Sequence, residues 1–237
     1  QAEDGIRDYK VTGVQTCALP ICYCTKSSHF KYILDEVLKN NTHIETSSAY
    51  DIDIVENLIK EGKITPDTFV ICNGFKRDRY IENISKLINN GHHNCLPIID
   101  NYEELNLLSE RIESKFNVGI RIASEEDPKF QFYTSRLGIG YKDIVPFYEQ
   151  KIANNEKVNL KMLHFFINTG IRDTAYYWNE LNKCLKVFVN LKKICPSLDS
   201  LNIGGGFPIK NSLAFEFDYE YMIDEIVNQI KKIGRAH

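Results

Sequence analysis

Two apolar runs in this sequence end in small or polar residues of a kind that can bind an anion. The run over 163–167 leads into Asn168, Thr169 and a glycine, and the run over 201–203 leads into Gly204, Gly205 and Gly206. Without Cβ atoms, the backbone can turn tightly and bring its N–H groups against a ligand, most often a phosphate. A tight strand-to-helix turn without a ligand is the alternative for an isolated glycine triplet. Two such ends on successive strands favour a phosphate site at the carboxyl-terminal mouth of a barrel.

Four charged or polar residues lie in or directly after strand-like runs, and each has a functional and a structural interpretation. Lys26 could be an amine whose pKa is lowered enough to form a Schiff base, or an ordinary solvated lysine. Arg121 lies between apolar neighbours and needs an anion, for which Glu45 is the nearest candidate in strand order. That pair could be purely structural or could also position a cofactor ring. His164 could be a core histidine whose hydrogen bonds are all made within the protein. Phe166 lies on the same side of that strand and could be a core residue or a platform for a planar cofactor.

The elements that must position these residues alternate regularly along the chain, which predicts parallel βαβ units. Strands are predicted over 23–25, 42–46, 68–72, 95–99, 117–123, 160–166 and 198–203. Helices are predicted over 28–39 with Ser28 as N-cap, 49–61, 78–89, 102–115, 144–155, 175–193 and 219–231, with a longer connection over 124–141. About seven β/α units in tandem predict an α/β fold, a (β/α)8 TIM barrel without its last unit. A doubly wound sheet has the same alternation and is the alternative.

Composition excludes several classes of partner. The formal net charge is −3 and no basic stretch stands out, so nucleic acid is not an expected partner. No apolar run approaches the length that spans a bilayer, so no membrane partner is expected. The seven cysteines form no C-x-x-C pair, which favours buried thiols in a reducing cytoplasm over a disulfide framework. No metal-ligand cluster stands out, and the His92–His93 pair is interpreted as part of a solvated loop.

The motifs in chain order resemble the fold type III pyridoxal-phosphate decarboxylases, whose barrel is of the alanine racemase type. They are Lys26 after the first strand, Glu45 followed by serines, ICNGFK at 71–76, GIRIA at 119–123, SRLGI at 135–139, LHFFINTG at 163–170 and GGG at 204–206. The third motif and the last two are the specific ones. The resemblance covers essentially all of 23–231 and is greatest to bacterial biosynthetic arginine decarboxylases.

The resemblance implies a role for each site residue. Lys26 would be the catalytic residue and would bind pyridoxal 5'-phosphate as a Schiff base. The substrate amine would displace it, and the protonated pyridine ring would stabilise the carbanion left by loss of CO2. The cofactor-binding set would be Lys26, Glu45, Arg121, His164, Phe166, Thr169, Gly204, Gly205 and Gly206. Within that set, the glycines and Thr169 would hold the phosphate, and Arg121 and Glu45 would pair under the cofactor.

Three departures from the family pattern stand out. Phe166 occupies the position of a histidine that stacks on the cofactor, and phenylalanine can stack but cannot donate a hydrogen bond. Asn168 and Thr169 replace a glycine-serine pair. The last barrel unit and the C-terminal β-domain are expected to be missing, together with the glutamate that would pair with the pyridine nitrogen. Because an open parallel barrel has unpaired edges, we expect the chain as it stands to be poorly soluble and inactive.

The resemblance implies that the intact gene product is a carboxy-lyase that converts arginine to agmatine and CO2 in polyamine and spermidine biosynthesis. Other fold type III reactions remain open, namely decarboxylation of diaminopimelate, ornithine or carboxynorspermidine, or racemisation. A barrel that binds pyridoxal phosphate without catalysis is a further alternative. The expected partners are a small amino-acid substrate and further copies of the chain, as a homodimer or higher homo-oligomer, and the expected location is the cytoplasm.

Both ends of the sequence match translated sequencing-adapter DNA. Residues 1–8 and 11–21 correspond to the translation of a short-read adapter, and residues 233–237 to that of its reverse complement. The codons of Cys22 and Lys232 would be shared with the gene. Foreign segments of this kind are set aside before the fold is considered. We therefore expect residues 1–22 and 232–237 to be non-native, and residues 23–231 to be a partial cofactor-binding barrel domain.

Overall fold

Strands and helices alternate along the chain in the computed structural model, which describes residues 21–124, 137–210 and 213–235. The strands are β1 (Cys22–Cys24), β2 (His43–Thr46), β3 (Val70–Cys72), β4 (Cys95–Ile99), β5 (Phe116–Ala123), β6 (Ile139–Gly140), β7 (Val158–His164) and β8 (Ser200–Asn202). The helices are α1 (Lys31–Lys39), α2 (Ala49–Lys60), α3 (Asp78–Asn89), α4 (Tyr102–Arg111), α5 (Ile144–Phe147), α6 (Ala175–Ile194) and α7 (Tyr219–Arg235), and a π-helical segment (Tyr148–Ile152) continues α5.

The sheet order follows the chain order. Neighbouring strands are β1-β2-β3-β4-β5-β7-β8, every pair is parallel, and the short β6 pairs with β5 off this path. A doubly wound sheet would reverse its strand order at a switch point, and this path does not. The curved parallel sheet with its helices confirms the prediction of a partial (β/α)8 barrel. Within the described ranges, β1 and β8 stand at the two open edges of this path.

The two faces of the sheet carry different side chains. The large core contains strand residues such as Ile44 and Val70 together with helix residues, so it lies between sheet and helices. A smaller cluster consists of strand residues only, and its buried members are Ile71, Leu96 and Ile98, with Met162 packed against them. This cluster therefore lies inside the barrel. Because side chains alternate along a strand, residues two positions further on also face inward, and these are Asn73, Asp100 and His164.

Several helix ends differ from the sequence-based prediction. Ser28 is not an N-cap, because α1 begins at Lys31 and the carbonyl of Phe30 accepts hydrogen bonds from the N–H groups of Ile33 and Leu34. Helix α4 begins as predicted, with the Asn101 side chain accepting from the N–H of Glu104. It ends four residues earlier than predicted because the next residue adopts extended backbone. These shifts leave the order of elements unchanged.

The structure also describes the state of the cysteines, the length and polarity of the helices, and the grouping of possible metal ligands. Of the six described cysteines, all are free, and Cys72, Cys95, Cys184 and Cys195 are buried. None of the helices in the described ranges is both long enough and apolar enough to cross a membrane. No group of three or more histidine, cysteine, aspartate or glutamate side chains among the described residues is arranged to hold a metal ion. The SRLGI motif lies partly outside the described residues, since residues 125–136 are not among them.

Candidate functional site

Two cationic side chains meet at one aromatic ring in the mouth of the barrel. The Nζ atom of Lys26 lies 5.8 Å from the ring centroid of Phe166, and the guanidinium carbon of Arg121 lies 5.5 Å from it. Lys26 is placed there because the N–H of Thr25 continues the β1–β2 pairing with a 2.9 Å hydrogen bond to the carbonyl of Glu45. Cations on a ring face are attracted to its quadrupole. The result is a flat, positively charged surface that suits a planar anionic ligand.

The glycine triplet lies directly beside this ring. Gly204 has a φ of +71° and Gly206 a φ of +100°, both in the left-handed region. A Cβ atom on Gly204 would lie 2.7 Å from the carbonyl oxygen of Phe165 and 3.3 Å from the Phe166 ring. The N–H of Ile171 donates to the carbonyl of Gly206 at 3.1 Å, which packs the loops after β7 and β8 together. Glycine is therefore required here both by backbone angle and by close approach.

Two of the three glycine N–H groups are available to a ligand. The N–H of Gly204 donates to Oδ1 of Asn202 at 2.8 Å, so it is already used. The N–H groups of Gly205 and Gly206 donate to no acceptor within the described part of the chain. A Cβ atom at Gly205 would meet nothing within 4 Å, which leaves room next to the backbone. This loop fits a phosphate group, and the exposed Thr169 lies in the adjacent loop.

His164 is held by an amide from the other side of the barrel. Its Nε2 atom lies 3.1 Å from Nδ2 of Asn73, which also donates to Oε1 of Glu45 at 3.3 Å. The Asn73 Oδ1 atom accepts from the N–H of Gly74 at 2.9 Å, and this orients the amide so that its NH2 group faces His164. The hydrogen-bond network therefore assigns Nε2 of His164 as an acceptor and places the ring proton on Nδ1.

The charge state of His164 follows from its surroundings. Burial, with smaller effects from the positive charges of Arg121, Lys76 and Lys26, lowers the pKa of His164 to about 3. The residue is only 2% exposed. His164 is consequently a neutral imidazole over the physiological pH range, and it can orient Asn73 but cannot act as a cationic acid.

Glu45 and Arg121, which were predicted to pair, face the same interior but make different contacts. Glu45 accepts from Asn73, and the thiol of Cys24 lies 3.9 Å from the same carboxylate oxygen. Among the described residues, Arg121 contacts the Phe166 ring and has no ion pair within 4.0 Å. Glu45 contacts Asn73, which directly follows β3. Arg121, on β5, lies instead against the ring of Phe166, which follows β7. The Nε atom of Arg121 and the Nδ1 atom of His164 are buried and unpartnered.

A buried ion pair joins the ends of β3 and β4 next to this site. Nζ of Lys76 lies 3.3 Å from Oε2 of Glu104, donates to the carbonyl of Gly74 at 2.9 Å and donates to the carbonyl of Ile98. The two side chains are 0% and 3% exposed. The Glu104 carboxylate also accepts the backbone N–H groups of Lys76 and Asp100, each at 3.0 Å. This pair holds the two strand ends together and so fixes the backbone that carries Asn73.

The sequence analysis did not predict the residues of this buried support. Asn73, Lys76, Asp100 and Glu104 were not predicted as site residues. The available signal was the position of the first three directly after strands, where side chains converge at a barrel mouth. Taken together, the site offers an exposed amine, a flat ring in contact with two cations and a glycine loop with two N–H groups that have no acceptor among the described residues. These features fit a planar cofactor that carries a phosphate.

Comparison with known proteins identifies a family and relatives of this chain. The family described as "Pyridoxal-dependent decarboxylase, pyridoxal binding domain" matches residues 9–237. "Biosynthetic arginine decarboxylase 2" of Synechocystis sp. is 29% identical over 59% of this chain and 23% of that protein. "Biosynthetic arginine decarboxylase" of Prochlorococcus marinus is 22% identical over 99% of this chain and 38% of that protein. The chain thus spans well under half the length of these relatives.

Solved structures share the fold. Diaminopimelate decarboxylase from M. jannaschii, in complex with L-lysine, superposes with a TM-score of 0.76 at 20% identity, over 91% of this chain and 50% of that one. Lysine decarboxylase from Selenomonas ruminantium gives 0.73 at 19% identity, over 90% and 53%. At these identities the likeness concerns the fold. Because the family match extends over nearly the whole sequence, the chain belongs to the pyridoxal-dependent decarboxylases and carries their pyridoxal binding domain.

Proposed function

We propose that the intact protein decarboxylates arginine to agmatine, as a step of polyamine biosynthesis, with pyridoxal 5'-phosphate held in the barrel mouth. The observation that carries the proposal is the convergence of Lys26 and Arg121 on the Phe166 ring, beside the Gly204–Gly206 loop. Support for arginine comes from the relatives named biosynthetic arginine decarboxylase.

The residues of this chain have distinct tasks in that proposal. Lys26, which is exposed at the mouth, carries the amine that would hold the cofactor through its aldehyde. The N–H groups of Gly205 and Gly206 and the hydroxyl of Thr169 bind the phosphate. Phe166 stacks on the cofactor ring but donates no hydrogen bond to it. When bound, pyridoxal phosphate supplies the electron sink for the charge that develops as CO2 leaves.

The polar residues deeper in the barrel orient rather than react. His164 is neutral and accepts from Asn73, which in turn holds the carboxylate of Glu45. This chain of contacts keeps one negative charge inside a mouth that also contains the cations Lys26 and Arg121. Such fixed charges favour an anionic ligand without fully neutralising the site.

The test is release of CO2 from carboxyl-labelled amino acids by the full-length gene product. We expect release from arginine with added pyridoxal phosphate, and release at the level of the enzyme-free control for Lys26→Ala. The matched control is Lys31→Ala, which removes an exposed lysine that pairs with Glu61 on the surface. Full activity of Lys26→Ala would contradict the proposed role of that amine.

A different amino-acid substrate is the second candidate. The structural neighbours include a lysine decarboxylase and a diaminopimelate decarboxylase that superpose on this chain with TM-scores of 0.73 and 0.76. The same assay with lysine, ornithine, diaminopimelate and carboxynorspermidine separates these substrates from arginine. Cofactor binding without CO2 release from any of them would favour a non-catalytic barrel.

Assembly and location complete the proposal. We propose a homodimer or higher homo-oligomer of the intact protein in the cytoplasm. Light scattering of the purified full-length protein measures the first, and fractionation of the source cells measures the second. A monomer at micromolar concentration, or recovery outside the cytoplasmic fraction, would contradict these statements.

We also propose that residues 1–22 and 232–237 derive from adapter DNA and that residues 23–231 are the native barrel segment. The support is the agreement of both ends with one adapter sequence. Amplification outward from the middle of the gene, followed by sequencing, tests this directly. We expect the reading frame to diverge from the given sequence near Cys22 and Lys232. An uninterrupted gene that encodes these termini would contradict it.

A further inference from the structure

Asp100 is a buried carboxylate with no hydrogen-bond partner on either oxygen. The residue is 5% exposed, and both Oδ1 and Oδ2 are buried and unpartnered. Its backbone N–H is satisfied by Glu104, but its carboxylate is not. An unpaired buried carboxylate is costly, and in native proteins such groups mark a missing partner or a functional site. Its position directly after β4 aims it into the barrel interior, towards the site.

Asp100 and Arg121 each lie one position beyond the last residue pair of β4 and β5. In the β4–β5 pairing, Ile98 lies opposite Gly119 and Ile99 lies opposite Ile120. Continuing this register by one residue brings Asp100 next to Arg121. Burial raises the pKa of Asp100, the positive charges of Lys76 and Arg121 oppose that rise, and the negative charge of Glu104 adds to it. The Nε–H of Arg121 is itself a buried donor without a partner.

The other acidic candidate for Arg121 is already engaged. Glu45 accepts from Asn73, and Asn73 is held in turn by His164 and Gly74. Moving Glu45 onto Arg121 would break that link and leave a buried amide donor unsatisfied. Asp100 has two free oxygens and breaks no contact when it accepts a hydrogen bond.

We propose that Asp100 is the positioning residue for Arg121. When the site is loaded, the Asp100 carboxylate accepts the Nε–H of Arg121 and holds the guanidinium at the Phe166 ring, while Glu45 remains with Asn73 and His164. The two carboxylates that orient the site then come from different strands, since Glu45 lies on β2 and Asp100 directly follows β4. The inference rests on the proposed function insofar as the loading ligand is pyridoxal phosphate.

Two double-mutant cycles test this in the full-length protein. Arg121→Lys keeps the positive charge but removes the Nε–H donor, and it is combined with Asp100→Asn in one cycle and with Glu45→Gln in the other. The readouts are the dissociation constant of pyridoxal phosphate, from quenching of protein fluorescence, and the absorbance spectrum of the bound cofactor. We expect Asp100→Asn and Arg121→Lys each to weaken binding about tenfold, with the double variant no weaker than the weaker single.

In the second cycle we expect the effects of Glu45→Gln and Arg121→Lys to add. Asp53→Asn is the control for charge alone, because Asp53 is exposed and pairs with Arg79 on the surface. Additive effects in the Asp100 cycle, coupling in the Glu45 cycle, or an Asp100→Asn protein that behaves like Asp53→Asn would each overturn the proposal. If Asp100→Asn fails to fold, the Glu45 cycle decides alone, since coupling there refutes the proposal and additivity supports it.

The experiments distinguish failure of the proposed function from failure of the role proposed for Asp100. A wild-type protein that does not bind pyridoxal phosphate refutes the proposed function, and the role of Asp100 falls with it. A wild-type protein that binds the cofactor but shows uncoupled Asp100 and Arg121 refutes only the positioning role. A changed absorbance spectrum in Asp100→Asn, with a melting temperature no lower than that of the wild type, separates positioning from a purely structural contribution.

Discussion

Asn73 and His164 meet across the barrel, with 3.1 Å between Nδ2 of the amide and Nε2 of the imidazole. The contact joins the end of β3 to the end of β7, which are far apart in the sheet order. It also assigns the imidazole tautomer and leaves the Asn73 amide free to hold Glu45. A single amide therefore orders two residues that the family resemblance places in the cofactor site.

Loss of the Asn73 amide should destabilise the barrel from inside. Asn73→Ala leaves the buried Nε2 of His164 without a donor, and we expect a loss of about 1–3 kcal/mol in the free energy of unfolding. Urea denaturation of the full-length protein measures this. Asn106→Ala, which removes an exposed helix asparagine, is the control and should change little. Equal stability of the two variants would show that the cross-barrel contact contributes nothing.

Stability should depend on pH through Asp100. Burial raises the pKa of Asp100 to about 6, above its ordinary value of 3.8, so the folded state binds this proton more tightly than the unfolded state. Its favourable contribution is complete below pH 4 and is lost as the pH rises through 6. Asp100→Asn removes this dependence, so we expect a gain on the order of 3 kcal/mol at pH 8 and little gain at pH 4.

Denaturation curves of the cofactor-free wild type and Asp100→Asn between pH 4 and 8 give that difference. Comparing the two proteins at each pH cancels the titration of all other groups. A gain that is the same at pH 4 and pH 8 would contradict a raised pKa. A variant that is less stable at pH 8 would show that the carboxylate already has a favourable partner in the cofactor-free protein.

Two substitutions in the glycine loop should distinguish the effect of backbone strain from the effect of lost ligand contact. Gly204→Ala forces a side chain into the left-handed region and against the Phe165 carbonyl, so we expect a loss of about 1–3 kcal/mol in stability. Gly205→Ala meets no atom within 4 Å and should melt like wild type. We expect it instead to weaken binding of pyridoxal phosphate, because its methyl group occupies the space next to the free N–H groups. Wild-type affinity in Gly205→Ala would place the phosphate elsewhere.

The buried and exposed ion pairs should differ strongly in their effect. Lys76→Met leaves Glu104 as an uncompensated buried charge, for which we expect a loss of about 3–5 kcal/mol. Arg79→Ala breaks a pair whose side chains are about half exposed, and its loss should stay below about 1 kcal/mol. Thermal or urea unfolding compares the two. Similar small losses would mean that water reaches the Lys76–Glu104 pair.

Much of the architecture could be predicted from local pattern. The alternation of apolar runs with helix-period segments predicted every long strand and helix, and their tandem order predicted a partial barrel. Boundaries shifted where backbone geometry overrode the residue pattern, as at Ser28, where the carbonyl of Phe30 rather than a serine side chain receives the first helical N–H groups. Strand ends marked where Lys26 and the glycine triplet lie, since in a parallel barrel all carboxyl ends open at one mouth.

The sequence by itself determined which residues reach the mouth, because strand period and order decide the face and end of the sheet that each side chain occupies. Only the tertiary structure decided which of them touch. Asn73 holds Glu45 and His164, and Arg121 lies on Phe166. Such choices depend on strand register and on curvature across the barrel, which bring together residues such as Asn73 and His164, 91 positions apart in the chain. Contacts between residues so far apart in the chain cannot be predicted from the local sequence pattern.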